Sequence, residues 1–261
     1  MDIATPPLVH LDATKRSKPL EPLDRLIVAL DFASAAAAME LVDQLQGNCR
    51  WFKVGMELYY AAGNAVVEHL RARGFEVFLD LKLHDIPNTV AGAVRTVARA
   101  GASLLTVHAG GGDAMLRAAV EAASAPDSPR LLAVTVLTSM DAEQLSGVGV
   151  CDSAGGLVGA QVLRLAKLAQ AAGIDGLVCS ADEVGAVREA MGLGPNGEGP
   201  LLVVPGIRPA GAEAADQRRV ATPAQAIAWG ASMLVVGRPI TQAVDPARAA
   251  AAILKEIAQG A

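Results

Sequence analysis

The sequence alternates short apolar runs with helix-forming segments about eight times over its 261 residues. The apolar runs predict strands, because each is rich in aliphatic residues and ends in glycine, proline or polar residues. Strands are predicted at 26–30, 51–55, 77–79, 103–108, 131–136, 175–179, 201–204 and 232–236. Strands that are apolar on both faces, with helices between them, are typical of a parallel sheet covered by helices.

The number of strand–helix units and the chain length predict an α/β fold, a (β/α)8 TIM barrel in a single domain. The alternative is an open doubly wound sheet. It is disfavoured because no Gly-x-Gly-x-x-Gly motif follows the first strand. The barrel is expected to form a catalytic domain over 24–261. Residues 1–23 are expected to form an N-terminal tail, to which the sequence assigns no function.

Several local signals predict where helices begin. Ser34 and Asn88 are expected to be N-caps of helices at 34–46 and 88–100, and Pro223 is a favourable first helical residue. A further helix is predicted over 60–73.

The overall charge and the residue content limit the classes of partner. The formal net charge is −5 and aromatic residues make up 3%, whereas a general nucleic-acid binder would be basic and would offer aromatic stacking platforms. Nucleic acid is therefore not expected as a partner. A membrane span is not expected either, because there is no run of about 18 apolar residues. Cys49, Cys151 and Cys179 lack CxxC spacing, which favours reduced thiols in a cytoplasmic protein.

The third predicted strand ends in charged residues where a buried strand would continue apolar. Val77-Phe78-Leu79 is followed by Asp80 and Lys82, and residues two apart in a strand face the same side. A carboxylate and an ammonium are therefore predicted side by side, with Asp85 three residues later. The structural alternative is an exposed salt bridge of little energetic value. A functional site is favoured because folds of this type carry their chemistry at the strand carboxyl ends.

In a parallel barrel all strand carboxyl ends meet on one face. The residues expected there are Asp31, Lys53, Asp80, Lys82, Asp85, His108, Thr138, Arg208 and Arg238. Acids and amines come from the first three strands, and arginines from the last two.

The ends of strands seven and eight predict a phosphate site. Gly206 and Gly237 allow a close approach of the backbone to an anion, and the guanidinium of Arg238 matches phosphate geometry. Gln217, in the polar segment after strand seven, is a candidate lid residue. The four histidines, at positions 10, 69, 84 and 108, show no ligand spacing, so no metal site is predicted. His108 could contact a ligand or have a structural role.

Several motifs of the chain, between about residues 25 and 241, resemble the orotidine 5'-phosphate decarboxylase family. They are Ala-Leu-Asp31, Lys53-Val-Gly, Asp80-x-Lys82-x-x-Asp85, Leu-Thr138-Ser, Pro-Gly-Ile-Arg208-Pro and Val-Gly237-Arg238-Pro-Ile-Thr. The tail and an insertion at 140–156 lie outside these motifs. The resemblance implies conversion of orotidine 5'-phosphate to UMP and CO2 in pyrimidine biosynthesis. It also implies a homodimer that uses neither a metal nor an organic cofactor.

The resemblance also implies a role for each matching residue. Lys82 would donate a proton to C6 of the pyrimidine, and Asp80 would crowd the substrate carboxylate. Lys53 and Asp85 would complete an alternating row of charges, with Asp85 reaching into the site of the partner subunit. The implied binding residues are Asp31, Lys53 and Thr89 for the ribose (Thr89 from the partner), Thr138 and Ser139 for the base, and Arg208, Gln217, Gly237 and Arg238 for the phosphate.

Two other functions stay open. One is a related phosphate-binding barrel enzyme, such as a 3-keto-gulonate 6-phosphate decarboxylase or a hexulose-phosphate synthase, which would use magnesium held by additional acids. Leu79, directly before Asp80, and the segment 86–89 favour the pyrimidine enzyme over these. The other is a catalytically silent binding protein on the same barrel.

Overall fold

The computed structural model describes residues 20–45, 47–150, 157–192, 199–209 and 221–261. Within them, eight parallel strands pair in chain order and the last pairs with the first, which closes a barrel. The strands are β1 Leu26–Leu30, β2 Trp51–Gly55, β3 Glu76–Leu83, β4 Leu104–His108, β5 Arg130–Val134, β6 Gly176–Val178, β7 Leu201–Val204 and β8 Met233–Val236. The predicted single-domain (β/α)8 barrel is confirmed, and the open sheet is wrong.

One short helix precedes β1, and helices follow the strands and cover the outside of the barrel. They are α1 Pro22–Arg25, α2 Ala35–Gln44, α3 Met56–Ala62, α4 Asn64–Ala72, α5 Pro87–Arg99, α6 Gly112–Ala122, α7 Ala142–Gly147, α8 Leu157–Ala171, α9 Val184–Met191, α10 Pro223–Ala228, α11 Arg238–Thr241 and α12 Pro246–Gly260. None of the helices in the described ranges is long and apolar enough to cross a membrane.

Two of the predicted helix starts are confirmed and one is wrong. Ser34 accepts a hydrogen bond from the Ala37 N–H, and Pro223 is the first residue of α10. Asn88, by contrast, lies inside α5, which begins at Pro87 after Ile86. Proline is favoured at a first helical position because its φ is already helical and it has no N–H to leave unpaired.

The helix predicted over 60–73 is divided into α3 and α4. The break is at Gly63, whose φ of +62° places it in the left-handed region. Glycine adopts that conformation without steric cost, so the chain changes direction there and both short helices keep an apolar face on the barrel.

The interior of the barrel is filled by alternate residues of the strands. This inner core consists of Ile27, Ala29, Trp51, Phe78, Leu104, Leu132, Val203, Met233 and Val235. The intervening residues, such as Val28 and Leu105, point outward and join a larger core between strands and helices. The packed interior therefore supports the residues at the carboxyl ends of the strands.

Candidate active site

A polar layer lies on the inner core at the carboxyl ends of the first four strands. Each of its members follows an inner-core residue by two positions, so its side chain points to the same side of the strand. The pairs are Ala29 and Asp31, Trp51 and Lys53, Phe78 and Asp80, and Leu104 and Thr106. The corresponding positions of β5 and β8 are Val134 and Gly237. The polar layer is thus concentrated on one half of the barrel mouth.

Four charged groups form a continuous row of alternating sign. Lys53 Nζ lies 2.8 Å from Asp31 Oδ1 and 3.9 Å from Asp80 Oδ2. Lys82 Nζ lies 2.9 Å from both carboxylate oxygens of Asp80. The sequence prediction that the charges of the first three strands meet is therefore confirmed for these four residues.

The middle of the row is withdrawn from solvent, and its ends are more accessible. The side chains of Lys53 and Asp80 are 11% and 14% exposed, against 60% for Asp31 and 29% for Lys82. Breaking a buried ion pair leaves an uncompensated charge and costs several kcal/mol. The opposite charges therefore stabilise one another in the buried middle of the row, while the more exposed Lys82 ammonium is accessible to a ligand.

Gly55, the last residue of β2, makes room for the row. A Cβ atom at this position would lie 2.8 Å from Lys53 Nζ and 3.2 Å from Asp31 Oδ1. Any side chain here would compete with that ion pair for the same space. No role was predicted for Gly55, although it closes the Lys53-Val-Gly motif.

The backbone of β3 is irregular at the charged residues. The pairing of β3 with β4 runs from Leu79 opposite Leu105 to Leu83 opposite Val107, so β3 uses two more residues than β4 over this stretch. Within it, Lys82 has a φ of +52°, and it is the one non-glycine residue with positive φ in the described ranges. Such strain is concentrated at functional sites. The predicted contact between Lys82 and Asp80 is present. The regular strand alternation from which it was predicted is wrong, because the backbone is bulged at Lys82.

Thr106 was missed by the sequence reasoning. It is fully buried on β4, and its hydroxyl oxygen lies 2.8 Å from the Lys82 N–H nitrogen and 3.0 Å from Asp80 Oδ1. The available signal was a hydroxyl between aliphatic residues of a buried strand, since a buried polar group requires a partner.

Two histidines stack beside Lys82. The rings of His84 and His108 are 5.0 Å apart and nearly parallel, at 12°. His108 Nδ1 accepts a hydrogen bond from the Gly110 N–H, so the proton of the neutral ring is on Nε2. Burial lowers the pKa of His108, and the neighbouring His84 and Lys82 lower it further. His108 is therefore a neutral, structurally fixed imidazole at the edge of the site.

Asp85 and Thr89 lie outside the row. Both are exposed, and Asp85 Oδ1 accepts a hydrogen bond from the Ile86 N–H at 2.6 Å. Thr89 lies in the first turn of α5. Both residues belong to the segment that leaves β3, and in this chain Asp85 forms no described ion pair with Lys53 or Lys82.

The second half of the barrel mouth contains glycine and arginine. Gly206, with a φ of +77°, and Arg208 follow β7, and Gly237 and Arg238 follow β8. A Cβ on Gly237 would lie 3.6 Å from the Ala29 side chain and 3.9 Å from Asp31 Oδ2, so this glycine adjoins the charged row. Gln217 lies outside the described residues.

The turn after β5 carries the residues predicted to contact the base. Thr138 is partly buried and Ser139 is exposed. In the described ranges, no group of three or more His, Cys, Asp or Glu side chains is arranged to hold a metal ion.

Comparison with known proteins gives consistent matches along almost the whole chain. Residues 24–253 match the family described as Orotidine 5'-phosphate decarboxylase / HUMPS family. A protein of Halorhodospira halophila named orotidine 5'-phosphate decarboxylase is 56% identical over 235 residues, covering 90% of this chain and 96% of that protein. The protein of the same name from Sodalis glossinidius is 49% identical and covers 96% of each.

A solved structure agrees with these relatives. The crystal structure of orotidine 5'-phosphate decarboxylase from Lactobacillus acidophilus superposes with a TM-score of 0.76 at 41% identity, covering 90% of this chain and 99% of that one.

Proposed function

The chain belongs to the orotidine 5'-phosphate decarboxylase / HUMPS family, and we propose that it converts orotidine 5'-phosphate to UMP and CO2 in pyrimidine biosynthesis. The observation that carries the proposal is the row Asp31–Lys53–Asp80–Lys82, closed by contacts of 2.8, 3.9 and 2.9 Å. It provides an accessible ammonium beside a nearly buried carboxylate. No cofactor takes part in the proposed reaction.

In the proposed reaction, the bond between C6 and the carboxylate breaks and its electron pair stays on C6. That pair lies in the plane of the ring, so the ring delocalises it poorly. A fixed ammonium beside C6 stabilises the developing charge, and preorganised electrostatics of this kind is often the largest contribution to enzymatic rate. Lys82 then transfers one Nζ proton to C6 as CO2 leaves, and it regains a proton from solvent.

Asp80 adds a repulsive contribution in the ground state. A substrate carboxylate about 4 Å from Asp80 would be repelled by about 4 kcal/mol at an effective dielectric constant of about 20. This repulsion accelerates the reaction to the extent that it is relieved as CO2 departs. Lys53 lies between the two acids, 3.9 Å from the Asp80 carboxylate, and with Asp31 it is proposed to bind the ribose hydroxyls.

The phosphate is proposed to bind at the ends of β7 and β8. Gly237 and Arg238 supply a close backbone approach and a guanidinium, Arg208 supplies a second guanidinium, and Gln217 is proposed to close over the anion. Barrels often bind phosphate at these two loops. Binding energy gained at the phosphate can hold the reacting end of the substrate against Asp80. Thr138 and Ser139 are proposed to read the base.

We further propose a cytoplasmic homodimer in which Asp85 and Thr89 enter the partner's site. The segment that carries them is exposed, and Ile86 within it is 67% exposed. Met56 and Tyr60, on the helix after the neighbouring strand β2, are 45% and 79% exposed. Large exposed apolar patches are typical of interaction sites, and the exposure of these three side chains supports the proposal. Buried thiols such as Cys49 and Cys179 suit a reducing compartment.

The dimer proposal is testable by mixing two inactive variants, Lys82→Ala and Asp85→Asn. If Asp85 serves the partner's site, each mixed dimer has one site with both native residues. Random exchange of subunits should then restore about a quarter of wild-type activity. Activity that stays at the level of the separate variants after exchange would show that Asp85 acts in its own subunit or not at all.

The activity itself is tested by incubating the purified protein with orotidine 5'-phosphate, with and without EDTA, and following ultraviolet absorbance. Turnover that is unchanged in EDTA supports the proposal. The family also includes HUMPS, and activity that is lost in EDTA and restored by magnesium would favour a sugar-phosphate enzyme. Tight binding of UMP with no turnover would indicate a silent binding protein.

A further inference from the structure

Thr106 provides the only side-chain hydroxyl in the described residues that contacts both Asp80 and Lys82. As an inner-face residue of β4, it lies directly above Leu104 and beside the end of β3. Leu104, the inner-core residue below it, is fully buried and apolar, and Thr106 itself is fully buried. A hydroxyl in such surroundings is unfavourable unless both its donor and its acceptor capacity are used.

Both capacities of the Thr106 hydroxyl are used by the proposed catalytic pair. Its oxygen accepts a hydrogen bond from the Lys82 N–H at 2.8 Å. Its proton is therefore directed to Asp80 Oδ1, 3.0 Å away. A single oxygen atom thus joins the backbone of one residue to the carboxylate of the other.

The backbone contact compensates for the irregularity of β3. Because β3 has two additional residues between Leu79 and Leu83, the Lys82 N–H lies outside the regular pairing of the two strands. Lys82 also has a φ of +52°, which is unfavourable for a residue with a side chain. The Thr106 hydroxyl takes the place of a strand carbonyl as the acceptor for this N–H and so holds the bulged conformation.

The carboxylate contact restricts Asp80. Its two oxygens already face Lys82 Nζ, and Oδ2 also faces Lys53 Nζ at 3.9 Å. The additional bond at Oδ1 opposes rotation of the carboxylate about its terminal torsion, which is otherwise broad.

We infer that Thr106 is a positioning residue for the decarboxylation: through one hydroxyl it fixes the orientation of the Asp80 carboxylate and the bulge that presents the Lys82 ammonium. This inference rests on the proposed function. Thr106 is fully buried and bonds to both charged residues, so it acts through them. Its loss is therefore expected to affect the chemical step more than binding.

The test compares Thr106→Ala with Thr106→Ser, which both lose the methyl group and differ by the hydroxyl alone. Turnover is measured with orotidine 5'-phosphate, and UMP affinity is measured separately. Loss of a hydrogen bond to a charged group should lower the kcat of Thr106→Ala by about 10- to 100-fold, with the Kd of UMP within about threefold of wild type. Thr106→Ser should recover most of the kcat.

Thr135→Val provides a matched control for the loss of a buried hydroxyl. Thr135 is 1% exposed and donates to the Val178 carbonyl, away from the charged row. Its variant should keep a kcat close to wild type. Thr106→Val, which is isosteric, repeats the test if the alanine variant fails to fold.

The possible outcomes separate this inference from the proposed function. If the wild-type protein decarboxylates orotidine 5'-phosphate and Thr106→Ala has the same kcat, the inference is overturned and the proposed function stands. Equal losses in Thr106→Ala and Thr106→Ser, or a loss confined to UMP affinity, would also overturn it. A wild-type protein with no decarboxylase activity would overturn both.

Discussion

Lys82 Nζ lies 2.9 Å from each carboxylate oxygen of Asp80, although the backbone between the two residues is not a regular strand. The contact is symmetric, so the ammonium faces the carboxylate as a whole. The exposure of Lys82 is twice that of Asp80, 29% against 14%. The ammonium can therefore approach a ligand while its partner stays fixed below.

Replacing Lys82 by alanine should nearly abolish turnover. The variant loses both the proposed proton donor and the positive charge proposed to lie beside C6, and these contributions together are worth a factor of about ten thousand or more. Single-turnover measurements with orotidine 5'-phosphate would quantify the loss, and circular dichroism would check the fold. Lys255→Ala, which removes an exposed ammonium on α12, should leave turnover unchanged. A Lys82→Ala protein with near-normal turnover would contradict the assignment of the proton donor.

Replacing Gly55 by alanine should lower activity while the barrel stays folded. The new Cβ would lie 2.8 Å from Lys53 Nζ, and the flexible lysine side chain would yield before the strand does. Displacement of a catalytic group by about 1 Å can cost on the order of 100-fold in rate. Steady-state kinetics at saturating substrate would measure this effect.

A matched glycine variant separates this effect from a general one. Apart from its chain neighbours and the adjacent backbone of α9, the Cβ of Gly185→Ala would have no described atom within 4 Å, and alanine should stabilise the helix by up to about 1 kcal/mol. If Gly55→Ala were as active as Gly185→Ala, the space at Gly55 would have no part in positioning Lys53.

Replacing Arg238 by alanine should weaken the binding of UMP far more than that of uridine. A charge-assisted hydrogen bond contributes about 1.5–3 kcal/mol, so the affinity should fall by about 10- to 100-fold. Isothermal titration calorimetry with both ligands would measure the difference. Arg248→Ala, an exposed residue of α12, serves as the control. Equal UMP affinity in the Arg238 variant and this control would place the phosphate elsewhere.

The stability of the protein should decrease below pH 6.5 because of His108. Its pKa is lowered from the ordinary value of 6.5 in the folded state by burial and by the neighbouring His84 and Lys82. The unfolded state therefore binds more protons between the lowered pKa and 6.5, so the free energy of unfolding falls as the pH falls through that window. Urea unfolding at about pH 7.5 and about pH 5.5 would measure the decrease.

His108→Asn provides the comparison for this pH effect. The asparagine oxygen can still accept from the Gly110 N–H, but the side chain does not titrate. The variant should lose less stability than wild type between the two pH values. An equal loss in both proteins would assign the pH dependence to other groups.

The sequence predicted the barrel and the charged row because both follow from strand periodicity. Asp31, Lys53 and Asp80 each come two residues after an inner-core residue, so an apolar strand that ends in a charge indicates where the charge points. The resemblance to a family then gave the roles of these residues. Neither the strand periodicity nor the family resemblance depends on the exact register between neighbouring strands.

Features that depend on the pairing of neighbouring strands could not be predicted. The bulge at Lys82 and the part played by Thr106 arise from the two residues by which β3 exceeds β4, and single-strand periodicity carries no information on that difference. The N-cap prediction at Asn88 was wrong because the fixed φ of Pro87 already suits the first helical position, so α5 begins one residue earlier. The prediction that Asp85 acts in a partner's site concerns a second chain and stays a prediction, as does the domain boundary at residue 24.

The barrel mouth is divided into a half whose charges are carried by strands and a half, proposed to bind the phosphate, whose glycines and arginines follow the strands, and this division has a consequence for how the site can change. Acids and amines carried by strands cannot be moved without repacking the interior, so their chemistry is inherited with the scaffold. Glycines and arginines that lie beyond the strand ends can be exchanged one at a time, and the segments that carry them can be lengthened, at little cost to folding. Variants selected for a new substrate should therefore change first on the β5–β8 side, while the charged row on the other side stays as it is.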